Sequence, residues 1–370
     1  MADAVAKSNR LSQARLLAQR AIEANAMFLF FAAIYIALGV LLSFFYETRF
    51  SLGIYNALWI AGAIFVFVIA WFANRRRHYL LSRIPFLSPG EQRTGRLLLW
   101  KRLAFALPVF IVFPLFISTF TSIKANIGTI NPYALDHVFM TIDRFLHGGV
   151  SAWRILHPIF GEPIVTAAIS AIYEAWFPVM ALVVLAVTLW VERPVLRSQF
   201  LIAFVLTWAV LGTAAALVLS AGGPCFYGLL YPYRPNPYEP LMAYLHEADE
   251  LYRVRALDLQ DRLWEQFERG QLYPGTGISA TPSMHVAIAM LNMLLAWRVG
   301  RILGIAATLF LILTFVATIH LGWHYAVDGY LSMMAVPLIW VFAGRVAEFN
   351  VRGPWIEKAF APLRRHNAVA

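Results

Sequence analysis

The sequence predicts an all-α polytopic membrane protein, a bundle of about eight transmembrane helices, and three observations lead to this fold class. Hydrophobic residues make up 60% of the 370 residues and charged residues only 14%, whereas a soluble domain carries about 25% charged residues. Mean hydropathy is +0.66. The apolar residues also gather in runs that approach or exceed the roughly 18 residues that a spanning helix needs. Most of the chain is therefore predicted to lie in a bilayer.

Eight apolar runs are candidates for spanning helices. Six are long and continuous, and they cover about 27–46, 52–73, 102–122, 163–191, 198–221 and 302–319. Two weaker runs, at about 283–297 and 325–343, are shorter or have polar residues where they begin. Both weaker runs start at motifs that contain histidine.

Charge placement orients the bundle with both termini in the cytoplasm. When the N-terminus is placed inside, most of the 30 Lys and Arg residues fall in cytoplasmic segments, as the positive-inside rule expects. The loops before the two weaker runs then face the periplasm of a bacterial inner membrane, or a lumen. The net charge of +10 comes from residues beside the membrane, where anionic headgroups attract them, so it does not indicate nucleic-acid binding.

Three regions are predicted along the chain. Residues 1–101 comprise an N-terminal amphipathic segment, a two-helix hairpin and a basic cytoplasmic loop, residues 102–345 form a six-helix core, and residues 346–370 form a cytoplasmic tail. The first 26 residues lack the apolar core of a cleaved signal peptide. We expect them to lie on the cytoplasmic leaflet as an amphipathic helix.

Two outer loops are long enough to cover the mouth of the bundle. Residues 123–162 mix charged and apolar side chains and are predicted to lie partly in the membrane interface. In residues 222–282, apolar side chains recur at helical spacing from about Leu241 to Phe267, which predicts one amphipathic helix over the mouth.

The histidine motifs carry the residues best suited to chemistry. His324 and Asp328 stand four residues apart, so on a helix they share a face and can form a hydrogen bond. A carboxylate on one imidazole nitrogen fixes the tautomer and stabilises the charge that develops. His285 suits a general acid, since the pKa of an imidazole can lie near neutral. Ser283 and the N–H groups of the helix that begins there offer donors for an anion.

Three further residues have an alternative interpretation. His320 lies four residues before His324, and two histidines at this spacing can bind zinc, although no second ligand cluster is evident in the sequence. Glu174 is a carboxylate within an apolar run, which makes it a functional candidate. Cys225 is the single cysteine, so no internal disulfide can form.

The two motifs resemble the second and third signature motifs of the type 2 phosphatidic acid phosphatase superfamily. Pro282-Ser-Met-His285 is similar to the second motif and His324-Tyr-Ala-Val-Asp328 to the third. The resemblance extends over about residues 102–343. The stretches 223–227 and 143–148 make the chain more similar to one branch, that of the inositol phosphorylceramide synthases and their bacterial relatives.

This resemblance implies a reaction and a role for each catalytic candidate. His324 would be the nucleophile that takes the phosphoryl group, Asp328 its orienting partner, and His285 the acid. The reaction would pass through a phosphohistidine, with no metal ion and no cofactor.

The phosphate clamp departs from the pattern of the superfamily. The first motif has a lysine, six further residues and Arg-Pro; here Arg234-Pro235 is present, but Tyr227 occupies the lysine position. The arginine expected six residues before the nucleophile is Thr318. Other cations must then hold the phosphate, and the candidates are Arg234, Lys124 and Arg144. Tyr227 and His320 are further candidates for contact with the substrate.

The sequence therefore predicts an integral membrane lipid phosphatase or head-group phosphotransferase. Its substrate would be a lipid phosphate or phospholipid, and its acceptor water or a lipid hydroxyl. The resemblance to the synthase branch slightly favours transfer of a phosphoinositol-type head group. The alternative is a membrane transporter or flippase in which the histidines form a proton relay. Transporters of that kind show broken helices or an inverted repeat, and the sequence shows neither.

Overall fold

The computed structural model of the protein describes residue 12 and residues 15–62 and 96–352, and the regular structure in these ranges is entirely helical. The prediction of an all-α bundle is confirmed. The helices are α1 (15–24), α2 (Ala26–Phe45), α3 (56–62), α4 (Arg96–Ala125), α5 (Ile127–Ile130), α6 (Asp136–Leu146), α7 (Ala152–Phe160), α8 (Pro163–Thr188), α9 (Pro194–Val218, with a π-helical turn at Val210–Ala215), α10 (Tyr227–Leu230), α11 (Glu239–Leu251), α12 (Arg255–Glu268), α13 (Met284–Val299), α14 (Arg301–His320) and α15 (Ala326–Arg352).

Six of these helices are long and apolar enough to cross a membrane, namely α2, α4, α8, α9, α14 and α15. The run predicted at 283–297 forms α13, which has 16 residues and is about 24 Å long, shorter than the ~30 Å hydrocarbon core. The predicted run at 52–73 lies largely outside the described residues, as do the basic loop after it and most of the C-terminal tail.

Helix α9 occupies the centre of the bundle, with 61% of its most apolar stretch buried. It packs against α2, α8, α13 and α15. Phe200, Phe204 and Trp208 on α9 meet Phe113, Phe116 and Phe120 on α4 in one aromatic cluster. Between membrane-spanning helices such contacts stabilise the pair through van der Waals packing, and they hold α4 and α9 together beside the site described below.

A second layer covers one end of the bundle. It consists of α6, α7, α11 and α12, whose apolar faces share a core with Trp323 and Tyr325 from the loop between α14 and α15. The layer is tied to the bundle by polar contacts as well: Gln260 on α12 donates a hydrogen bond to the Leu321 carbonyl (2.9 Å).

The single amphipathic helix predicted between Leu241 and Phe267 is two helices, α11 and α12. Tyr252 is extended, with φ −143° and ψ 124°, and the new helix begins at Arg255. Asp249 accepts a hydrogen bond from the Val254 N–H (2.6 Å), and Ser170 on α8 accepts one from the Ala256 N–H (3.0 Å). Because these side chains satisfy the free N–H groups of the second helix, the break costs little.

The carboxylate of Glu174 on α8 forms an ion pair with Arg255 (3.3 Å) rather than facing an apolar interior. This pair joins α8 to the start of α12. Glu174 therefore helps to hold α12, in the covering layer, against α8.

Candidate active site

One end of the bundle contains a cavity of about 460 Å³ that brings His285, His324 and Lys124 together. These residues come from three separate elements, α13, the loop before α15, and the last turn of α4. The imidazole centroids of His285 and His324 are 6.3 Å apart. Lys124 therefore lines the same cavity as two histidines that lie more than 150 positions later in the sequence.

His324 lies in the short connection between α14 and α15. Its backbone N–H donates to the Thr318 carbonyl (3.0 Å), which turns the chain back on the end of α14. Gly223 allows this packing, because a Cβ atom there would lie 2.5 Å from the Trp323 carbonyl oxygen. The side chain of His324 is almost fully buried, with 6% of the residue exposed.

The hydrogen bonds of His324 determine which of its nitrogens can react. Nδ1 lies 2.7 Å from the carbonyl oxygen of Ala280. A carbonyl only accepts hydrogen bonds, so Nδ1 must carry the proton, and the neutral ring then has its lone pair on Nε2. No described residue forms a hydrogen bond with Nε2, which leaves the lone pair of this nitrogen available to a ligand in the cavity.

Asp328 supports His324 at a longer distance than the sequence suggests. Its Oδ2 atom lies 3.4 Å from Nδ1 of His324, and Ala280 makes the shorter contact. The carboxylate is itself held by the Thr281 hydroxyl (2.7 Å) and the Tyr325 N–H (3.0 Å). A fixed negative charge at this distance favours a positive imidazole, so it would stabilise His324 after attack on phosphorus.

His285 lies in the first turn of α13, where its ring is held between two aromatic side chains. The centroids of the Tyr173 and His285 rings are 4.3 Å apart in a stacked arrangement, and the Trp176 ring lies at the same centroid distance in a tilted arrangement. Nδ1 is 3.3 Å from the Tyr173 hydroxyl. Nε2 has no hydrogen-bond partner in the described structure although it is buried. An orphaned nitrogen in a cavity wall is free to contact a ligand.

Lys124 contributes the cation of the cavity. The loop before α13 packs directly on its backbone, since a Cβ atom at Gly277 would lie 2.6 Å from the Lys124 carbonyl carbon. Within the described ranges the ammonium forms no hydrogen bond or ion pair. A half-buried amine without a carboxylate partner favours an anionic ligand.

The rest of the cavity is an apolar arm that runs between α3, α4 and α8. It is lined by large side chains, including Trp59, Phe113, Phe120, Met180 and Trp208. Two of its lining residues are well exposed, Leu58 (61%) and Phe177 (45%). The arm therefore reaches the lateral surface of the bundle, and its polar end is the pair of histidines.

Among the predicted site residues that do not line this cavity, Ser283 and His320 make hydrogen bonds elsewhere in the bundle. Ser283 is fully buried as the N-cap of α13, where its hydroxyl accepts from the Val286 N–H (3.5 Å). His320 points toward α7 and α8, where Nε2 lies 2.9 Å from the Thr166 hydroxyl. His320, His324 and Asp328 do not share one helix face, because α14 ends at His320 and the chain turns before His324.

The zinc hypothesis relied on His320 and His324 lying on one helix, and the end of α14 at His320 separates them. No three His, Cys, Asp or Glu side chains in the described part of the chain are placed to hold a metal ion.

Arg144, Arg234 and Tyr227 line a different cavity, of about 340 Å³, on the outer face of the covering layer. It shares no lining residue with the first cavity. Of the three predicted phosphate-binding cations, the structure brings only Lys124 to the two histidines.

Two buried aspartates position the loop that carries His324. Asp136 is fully buried and accepts four hydrogen bonds, from the N–H groups of Gly222 and Gly223 and from the hydroxyls of Tyr231 and Tyr325 (2.7–3.0 Å). Burial, reinforced by this carboxylate, raises the pKa of Tyr231, so its hydroxyl remains a donor at neutral pH.

Asp143 caps α15 from a distant helix. One of its oxygens accepts from the N–H groups of Ala326 (2.8 Å) and Val327 (3.3 Å), and the other from the Ala152 N–H (3.3 Å). Burial raises the pKa of Asp143, whereas these donors and His147 lower it. Neither aspartate could be placed near His324 from the sequence alone, because the groups that link them to its loop are backbone N–H groups or residues far along the chain.

We expect Asp143→Asn to destabilise the protein by about 1–3 kcal/mol, because an amide NH₂ would face the Ala152 N–H or leave the start of α15 without its acceptor. Thermal unfolding in detergent measures the effect. Asp261→Asn, an exposed position on α12, is the matched control. Equal melting temperatures for the two variants would contradict the capping role.

Comparison with known proteins agrees with this arrangement. A family model described as the PAP2 superfamily matches residues 137–342, more than half of the 370-residue chain. The matched range includes His285, His324 and Asp328, and it leaves Lys124 outside. No curated protein and no solved structure gives a significant match. The superfamily that the two histidine motifs indicate is confirmed, and the chain belongs to the PAP2 superfamily, whose members are generally phosphatases or phosphotransferases.

Proposed function

We propose that this protein is an integral membrane enzyme that removes a phosphoryl-containing group from a lipid and passes it, through His324, to water or to a lipid hydroxyl. One observation carries the proposal. The Ala280 carbonyl holds the proton of His324 on Nδ1, and the free Nε2 shares a cavity with His285, Lys124 and a long apolar arm.

In the first half-reaction, the lone pair of His324 Nε2 attacks phosphorus. The bond between phosphorus and the lipid oxygen breaks, and His285, which starts as an imidazolium, gives its Nε2 proton to the departing alkoxide and becomes neutral. The product imidazolium keeps its proton on Nδ1, between the Ala280 carbonyl and the Asp328 carboxylate. Stabilising charge where it develops in the transition state is the effect that lowers the barrier.

In the second half-reaction, water or a lipid hydroxyl attacks the phosphorus bonded to His324. The neutral His285 takes the proton of this nucleophile, and the P–N bond breaks, which restores His324 as a neutral imidazole and His285 as an imidazolium. Water gives a phosphatase, and a lipid hydroxyl gives a head-group phosphotransferase of the kind that the resemblance to the synthase branch suggests. The same residues serve both outcomes.

The proposal includes the orientation of the protein in the membrane. The six apolar helices and the placement of basic residues support cytoplasmic termini, with the histidines at the periplasmic or luminal end. A lipid in that leaflet could then reach the cavity sideways, past Leu58 and Phe177.

The test is turnover of purified protein in detergent. Labelled phosphatidic acid and phosphatidylinositol are supplied with and without diacylglycerol or ceramide, and free phosphate and labelled lipid products are separated. We expect a product in at least one arm. A transporter with a histidine relay would give none, since transport breaks no bond of the lipid, and absence of product from every donor would contradict the proposed function.

We expect Lys124→Met to lower kcat/KM by about 10- to 100-fold, mainly through KM, because a charge-assisted hydrogen bond contributes about 1.5–3 kcal/mol. Lys124→Arg keeps the charge and should recover most of the loss. Steady-state kinetics on a lipid phosphate measures both variants. A KM that is the same for Met and Lys would show that another cation holds the phosphate.

The apolar arm should select for acyl chain. Trp59 on α3 stacks on Phe113 of α4 (5.3 Å) and lines the arm. We expect Trp59→Ala to lower kcat/KM for a dioleoyl substrate by about tenfold while changing a dihexanoyl substrate less than threefold, because a long acyl chain makes more van der Waals contacts along the arm than a short one.

Ile60→Ala is the control for this experiment, since Ile60 lies on the same helix, is 59% exposed and does not line the arm. An equal loss with both substrates would argue that Trp59 acts only on folding.

A further inference from the structure

We propose that the second cavity, between α6 and residues 231–237, binds the phosphate group of another ligand, on a lipid headgroup or free. This site is separate from the one at His324 and does not depend on the chemistry proposed there. Its lining contains two guanidinium groups and one imidazole, from Arg144, Arg234 and His137.

Most of the guanidinium N–H groups in this cavity have no hydrogen-bond partner in the described structure. Arg144 donates one hydrogen bond, from Nε to the Gly149 carbonyl (3.1 Å), and its terminal nitrogens have no partner in the described structure. The guanidinium of Arg234 lies over the Tyr231 ring at 5.7 Å, a contact that leaves its N–H edges free. Neither arginine forms an ion pair with a described carboxylate. Two arginines of this kind match the geometry of a phosphate.

Neutral donors complete the lining. Tyr227 and Asn236 also line this cavity, and neither the Tyr227 hydroxyl nor the Asn236 amide nitrogen donates a hydrogen bond to another described residue. No Asp or Glu is among the residues that line the cavity. The two nearest carboxylates, Asp136 and Asp143, are buried and already accept several hydrogen bonds. The site therefore offers donors and positive charge without a competing internal anion.

A single short segment separates the two cavities. Phe226 lines the cavity of the catalytic histidines, and the next residue, Tyr227, lines the second cavity. A ligand phosphate at Arg234 therefore lies in a different cavity from the one that His324 lines. The arginines cannot be counted as a clamp for the phosphate that His324 attacks.

The surroundings favour a lipid as the carrier of the phosphate. Helix α6 carries His137 and Arg144 beside exposed apolar side chains, Val138 (44%) and Phe145 (81%). A helix with this pattern lies in the membrane interface, with cations at the level of the headgroups. An anionic phospholipid can place its phosphate in the cavity and its chains along the exposed face of α6.

Native mass spectrometry of the His324→Ala protein in detergent tests the proposal without turnover. Dioctanoyl phosphatidic acid is the lipid probe, inorganic phosphate is the competitor, and bound copies are counted against concentration. We expect two saturable lipid copies, and we expect Arg144→Gln/Arg234→Gln to weaken one of them at least tenfold. Both arginines are exposed, and the single variants serve if the double variant aggregates.

The matched control is Arg154→Gln/Arg262→Gln, which removes two exposed outer arginines that do not line either cavity. Both lipid copies should remain in this protein. Displacement by inorganic phosphate would identify free phosphate as a sufficient ligand, and resistance would identify the lipid headgroup. An unchanged second copy in Arg144→Gln/Arg234→Gln, or an equal loss in the control, would overturn the proposal. A missing copy at His324 alone would count against the proposed function and not against this site.

Discussion

His324→Gln is expected to lower kcat by at least about a thousandfold, because it removes the only group that can accept the phosphoryl-containing group in the proposed reaction, and loss of a nucleophile costs several kcal/mol of transition-state stabilisation. Gln keeps a polar side chain of similar length that can still donate to the Ala280 carbonyl. The measurement is single-turnover release of product from the best lipid substrate found in the detergent assay.

His246→Gln is the control for the nucleophile, since His246 is an exposed histidine on α11 of the covering layer. It should keep turnover within about twofold of the wild type. A His324→Gln protein that folds, melts like the wild type and keeps more than a tenth of its turnover would show that His324 is not the nucleophile.

The second large effect is expected at His285. His285→Gln should lower turnover of a lipid phosphate by about 10²–10⁴-fold, the range typical for loss of a general acid. The loss should shrink to less than tenfold with p-nitrophenyl phosphate, because a nitrophenolate leaves without needing a proton. Comparing the two substrates over the same enzyme preparation measures the difference.

This comparison separates catalysis from packing. The His285 ring also fills the space between Tyr173 and Trp176, so a purely structural role would reduce both substrates equally. Equal losses with the lipid and the nitrophenyl substrate would therefore contradict the role of general acid.

Sequence reasoning predicts the parts of this molecule that depend on local pattern. Long apolar runs identify α2, α8 and α14, since a spanning helix must satisfy its own backbone and needs about 20 apolar residues to do so. Two motifs at the ends of such runs mark His285 and His324, because an imidazole at the edge of an apolar helix is costly without a function or a partner.

The parts that it misses depend on contacts between distant segments. The break between α11 and α12 requires Ser170 of α8, and the tautomer of His324 is set by the backbone of Ala280. Asp143 acts on the N–H groups of Ala326 and Val327, more than 180 residues away in sequence. Each of these contacts joins a backbone group to a residue far away in the sequence, so neither residue spacing nor composition could reveal it.

The phosphate clamp illustrates the same limit. Arg144, Arg234 and Lys124 are equivalent in sequence, as outer-face cations near polar loops. The structure divides them between two cavities on either side of the segment that contains Phe226 and Tyr227. Whether a cation serves a given phosphate depends on this separation, which only the packed fold defines.

The central claim is that the phosphoryl-containing group is bonded to His324 between the two half-reactions. Rapid quenching into alkali during turnover, followed by tandem mass spectrometry of the peptides, tests it most directly, since phosphohistidine survives base and is lost in acid. We predict an acid-labile adduct on His324 that forms within the first turnover and is absent from His324→Gln. Turnover without any adduct, or an adduct on His285 instead, would contradict the account.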